Sequence, residues 1–127
     1  MTLRQRLRHD YSGWASEETG FGATSVDLLS SIKRLVLQRR IVFTRKAACE
    51  MEAAAITTED VIEAIANSHR IHKVIRSRSP MRGHVGERLY VIKGMTLDNV
   101  VIYTKGKIVR EAGHNVFYVL VSCKEAL

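Results

Sequence analysis

"YTKGKIVREAGHNVFYVLVSCK" spans Tyr103 to Lys124, and its reading decides the fold. Apolar and polar residues alternate on both sides of Ala112 and Gly113, the period of two that belongs to half-buried strands. With those two residues as the turn, the segment is a hairpin whose directly opposed residues share a face. That register predicts one apolar face from Ile102, Thr104, Gly106 and Ile108 with Phe117, Val119, Val121 and Cys123, and this face should meet the helices. The other face sets Tyr103 against Ser122, Lys105 against Leu120, Lys107 against Tyr118 and Val101 against Lys124. A face of lysines and tyrosines that no helix covers suits nucleic acid, because lysines meet phosphates and tyrosines stack on bases. The same pattern also describes an ordinary solvated face.

Upstream of the hairpin, 69–77 and 88–94 also read as strands, and the hairpin's own first strand extends back to 99. A four-residue turn at 95–98 would add Tyr90 to the open face, whereas an odd loop would reverse that placement. Further upstream the period changes to 3.6. Helices are expected over 25–39, 45–55 and 57–68, capped by Thr24 with Asp27, by Thr44, and by Thr57 with Asp60. The tripeptide "IVF" at 41–43 reads as an apolar link, and residues 1–24 as an N-terminal arm without clear periodicity. The expected architecture is α+β: N-terminal helices packed on one face of a four-stranded antiparallel sheet, within one domain over 25–127.

The chain has 127 residues and is 46% hydrophobic, which fits one soluble domain. No apolar run approaches the roughly 20 residues that span a membrane, and the N-terminus does not resemble a secretory leader. A cytoplasmic protein with no membrane partner and two reduced cysteines is therefore expected. The net charge of +7 is concentrated: residues 69–127 hold eleven basic groups against four acidic ones, and the rest of the chain is balanced. Such an excess points to a polyanionic partner, whether nucleic acid, an acidic protein or an anionic membrane surface. "HRIHKVIRSRSPMRGH" (69–84) contributes Arg70, Lys73, Arg76, Arg78 and Arg82 without a carboxylate, and adds His69, His72 and His84. Histidine moves protons near neutral pH. If 69–77 is a strand, His69 and His72 point to opposite sides, so no metal site and no cofactor is expected.

Three stretches resemble the MqsR-type ribonuclease toxins of bacterial type II toxin–antitoxin systems, and still more a related bacterial family often encoded beside a zinc-finger antitoxin. "SSIKRLV" (30–36) with "FTRKA" (43–47) is like their first helix and the Thr-Arg-x-Ala helix start. "RIHKVIRS" (70–77) sits where they have a strand with a functional lysine, and "VLVSCKEAL" (119–127) is close to their final strand. The resemblance implies a RelE-like fold and metal-independent cleavage of mRNA by 2′-hydroxyl attack. It implies growth inhibition and a zinc-finger or helix-turn-helix antitoxin as partner. It matches the family's functional residues to Lys73, Tyr103 and Lys124. Alternation places Lys73 beside Ile71 and Ile75, so either a bulge turns Lys73 to the site or His72 and Arg76 supply its cations. Arg70, Arg76, Arg78, Arg82, Tyr90, Lys105, Lys107 and Tyr118 are the expected RNA-binding residues. Two other readings fit the same residues: a non-catalytic nucleic-acid-binding module and a basic docking domain for an acidic protein.

Overall fold

Thr44 and Thr57 start two helices as their hydroxyls allow. In a computed structural model of the chain, which describes residues 25–76 and 87–126, Thr44 Oγ1 accepts the Ala47 N–H at 3.1 Å. Thr57 and Asp60 form a reciprocal capping box, each side chain accepting the other's backbone N–H at 3.1 and 2.9 Å. The elements in chain order are α1 (Ser25–Leu37), β1 (Ile41–Phe43), α2 (Arg45–Ala54), α3 (Thr58–Asn67), β2 (Lys73–Arg76), β3 (Arg88–Met95), β4 (Val101–Glu111) and β5 (His114–Glu125). The expected N-terminal arm and the Thr24 cap lie outside the described residues, as does the loop holding Arg78 and Arg82.

The class is α+β, but the sheet has five strands in the order β1-β5-β4-β3-β2 and is mixed. The "IVF" link is the fifth strand. It pairs parallel with β5, Ile41 opposite Tyr118 and Phe43 opposite Leu120. Three residues are too few to display an alternation, so periodicity could not reveal this strand. The chain reaches that edge through Arg39, whose φ of 61° reverses its direction after α1. The pairing is framed by Tyr118 N–H donating to Arg40 C=O at 2.9 Å and Thr44 N–H donating to Leu120 C=O at 3.0 Å.

The hairpin turns at Ala112–Gly113, and the expected register holds for its first two pairs, Glu111–His114 and Arg110–Asn115. Two bulges then displace it. Val109 faces Phe117 and Ile108 faces Tyr118; beyond Gly106–Leu120, Lys105 faces Ser122, Thr104 faces Cys123 and Tyr103 faces Lys124. Each bulge adds one residue to β5 and exchanges its two faces. Between them Tyr118 and Leu120 point to the helices and Val119 points away, the reverse of the expected arrangement. After the second bulge Ser122 and Lys124 are back on the open face.

The core lies between this sheet and the three described helices. Ile32, Val36, Val61, Ile65, Ile92, Tyr118 and Leu120 are fully buried in it. Gly94 lets α3 approach β3: a Cβ there would stand 1.7 Å from the Ala64 carbonyl oxygen. Gly106 leaves room for the Tyr118 ring, whose atoms lie 2.5–2.6 Å from where a Cβ would be. Tyr90 is also buried. The β3–β4 connection runs over the five residues 96–100, the odd length that reverses the Tyr90 placement. No described helix is long and apolar enough to cross a membrane.

Candidate functional site

The face of the sheet away from the helices carries cations in rows. Direct pairing aligns Lys73, Val91, Lys105 and Ser122 across β2, β3, β4 and β5. Two residues along, it aligns Lys93, Tyr103 and Lys124. Directly paired residues share a face and hold their Cβ atoms about 4.5–5.5 Å apart, so Tyr103 is flanked by Lys93 and Lys124. Lys46, from the first turn of α2, and His72, just before β2, join these residues around an open depression of about 500 Å³.

The facing conflict at Lys73 is resolved without a bulge that re-aims it. Lys73 pairs with Val91 and is exposed on the open face together with Ile75, while Ile71 precedes the strand and turns into the core. His72 also lines the depression, so the alternatives Lys73 and His72 both reach it. Because β2 begins only at Lys73, His69 and His72 are not separated by strand alternation. Both border a second depression, described below. Among the described residues no three His, Cys, Asp or Glu side chains stand together as metal ligands.

His72 registers the local field. Its pKa is held below the ordinary histidine value, first by the neighbouring Lys93 ammonium, then by partial desolvation, Arg70 and Lys73. The same field favours the neutral imidazole.

Sequence reasoning missed Glu50, which anchors the far side of the depression. Its Oε1 accepts from Ser122 Oγ at 2.9 Å and from Cys123 N–H at 3.1 Å, and its Oε2 lies 3.5 Å from Lys124 Nζ. Partial burial pushes the Glu50 pKa up. The Ser122 hydroxyl, the Cys123 N–H, Lys124 and Lys46 push it down by more, so it sits below the usual value. Glu50 is one of several carboxylates of α2 and α3, and its partners on β5 lie just past the second bulge.

The other expected residues divide. Lys105 lies in the cluster. Lys107 shares the face but is paired with Glu87 at 3.2 Å. Arg70 is exposed beside His72, and Arg76 is exposed opposite Arg88 at the outer strand. Tyr90 and Tyr118 do not lie on the open face, because both are core residues. Tyr118 is fully buried and its hydroxyl has no partner among the described residues. These two rows thus hold one aromatic ring, the half-buried Tyr103, among lysines.

No protein-family model, no curated protein and no solved structure matches the chain.

Proposed function

We propose that the protein is a metal-independent endoribonuclease of the toxin class, cleaving mRNA on the open sheet face. One observation carries this reading: Lys46, Lys73, Lys93, Lys105 and Lys124 gather with His72 around a single tyrosine. Cleavage through the 2′-hydroxyl needs a base for that hydroxyl, cations for the charge developing on phosphate, and a donor for the leaving 5′-oxygen. His72 takes the 2′-hydroxyl proton as the O2′–P bond forms. Lys124 and Lys105 hold the non-bridging oxygens. Tyr103 donates to the 5′-oxygen as the P–O5′ bond breaks, leaving a 2′,3′-cyclic phosphate and a 5′-hydroxyl. Lys73 adjoins Lys105 through Val91 and serves the same phosphate. The RelE-like comparison and an antitoxin that covers this face belong to the same proposal.

The test is incubation of the purified protein with single-stranded RNA in EDTA, with end-group analysis of the products. Cyclic-phosphate ends that vanish in Lys124→Ala and Tyr103→Phe are expected. RNA retention without cleavage would leave a binding module, and no retention at low salt would leave a docking face for an acidic protein.

A further inference from the structure

A larger depression of about 850 Å³ adjoins the lysine cluster and shares His72 and Lys93 with it. Its floor continues the rows of the open face. Beyond Lys93–Tyr103–Lys124, the next same-face pair is Met95–Val101, about 7 Å further along the strands. The open face thus changes there from cationic to apolar. Met95 is 46% exposed although it is a large apolar side chain. The wall is the link from α3 to β2, where His69 and Arg70 are exposed. No carboxylate lines the depression among the described residues.

Among the described residues the sheet edge here is open. The β2 ladder ends at Lys73–Val91, and His72 N–H donates to Val91 C=O at 2.8 Å. Asn67 Nδ2 occupies Met95 C=O at 2.9 Å. Backbone groups along an antiparallel strand alternate in direction, so Lys93, between Val91 and Met95, also turns its N–H and C=O outward, where no described strand pairs with it. A donor and an acceptor beside an apolar floor and a flat cationic wall match the edge and faces of a nucleobase.

We propose that this depression is a nucleobase subsite, holding the unpaired base of the nucleotide next to the phosphate on the lysine face. The proposal rests on the nucleic-acid reading of that face and adds what it lacks, a place for a base. Met95 and Val101 support one face of the ring, the His69 and Arg70 side chains stack on the other, and the Lys93 backbone meets its edge. A single strand then runs from Lys105 and Lys124 across Lys93 into the depression. Its pairing edge is occupied, so double-stranded RNA is rejected.

The test compares a labelled eight-nucleotide RNA with the same strand made abasic, by fluorescence anisotropy at low salt. The wild-type protein is expected to bind the abasic strand about tenfold more weakly, the loss of one stacked base. Met95→Ala and His69→Ala should weaken binding of the intact strand by a similar factor and leave the abasic strand unchanged, whereas Lys105→Ala should weaken both. Equal wild-type affinities, or parallel losses for both strands in Met95→Ala and His69→Ala, would overturn the subsite and leave the lysine face standing. No binding of either strand would overturn both.

Discussion

Tyr103 and Lys124 are direct partners across β4 and β5. The unbulged hairpin would have set Tyr103 against Ser122 and moved Lys124 two places away. The two bulges, one residue each, together close that distance and make the pair, so phenol and ammonium leave the sheet side by side.

Lys124→Ala and Tyr103→Phe should each lower the cleavage rate by about 10²–10³, the usual cost of one preorganised donor, while RNA affinity falls far less. Lys107→Ala should do little to either, because Glu87 already occupies that ammonium. Single-turnover rates measured beside binding isotherms separate these effects. Rate losses that merely track lost affinity would leave a docking surface.

The rate should also report the field at His72. As a base it acts when neutral, so the acid limb of the kcat/KM profile should fall at a pH below the ordinary histidine value of about 6.5. Lys93 is the first cause of the depression, and Lys93→Ala should move that limb upward. A limb unmoved in Lys93→Ala would assign the base elsewhere.

Glu50 ties α2 to the β5 bulge, and its folded pKa lies below its unfolded one. Its contribution is therefore complete above the unfolded value near 4.5 and is lost as pH falls through the lower folded value. Denaturant melts of Glu50→Ala at pH 7 should show a loss of about 2 kcal/mol, that of hydrogen bonds to a charged acceptor. The difference from wild type should shrink towards pH 3. A constant difference would mean that Glu50 acts through packing alone.

Tyr118 and Gly106 define one space. Gly106→Ala drives a methyl into the tyrosine ring and should cost about 1–3 kcal/mol. Tyr118→Phe keeps the ring and removes a hydroxyl without a described partner, so it should be neutral or stabilising. Thermal melts of the two variants are expected to move in opposite directions or to leave Tyr118→Phe in place.

The two thiols should differ sharply. Cys49 is exposed and Cys123 is buried, its pKa pushed up to about 12 by burial, Glu50 and Asp60. A maleimide should label the native protein once, at Cys49, and twice after denaturation. Rapid double labelling of the native state would show that β5 opens.

The three helices, two of their caps, the 112–113 turn and the face of every β4 residue were legible, because each rests on local chemistry or unbroken alternation. β5 was legible only at its ends. A bulge leaves no mark in a strand of Val, Phe, Tyr and Leu, all of which are at home on either face. Which of them turns inward is decided by Gly106, across the sheet, where an aromatic ring fits. Lys105, Lys107, Tyr103 and Lys124 kept their expected face because β4 is regular and the two bulges cancel. Tyr90 depended on one residue of loop length. Glu50 and β1 were beyond reach, since both acquire their roles from partners more than seventy positions away.

That separation has a kinetic consequence. Thr44 reaches Val121 across 77 positions and Glu50 reaches Ser122 across 72, so the edge strand and the anchor of Lys124 wait on contacts between distant parts of the chain. During synthesis the helices can form early, whereas the cationic pocket has no anchored wall until β5 has emerged and closed those long loops. A nascent chain halted before that point carries the lysines of β2, β3 and β4 without the geometry that makes them a site.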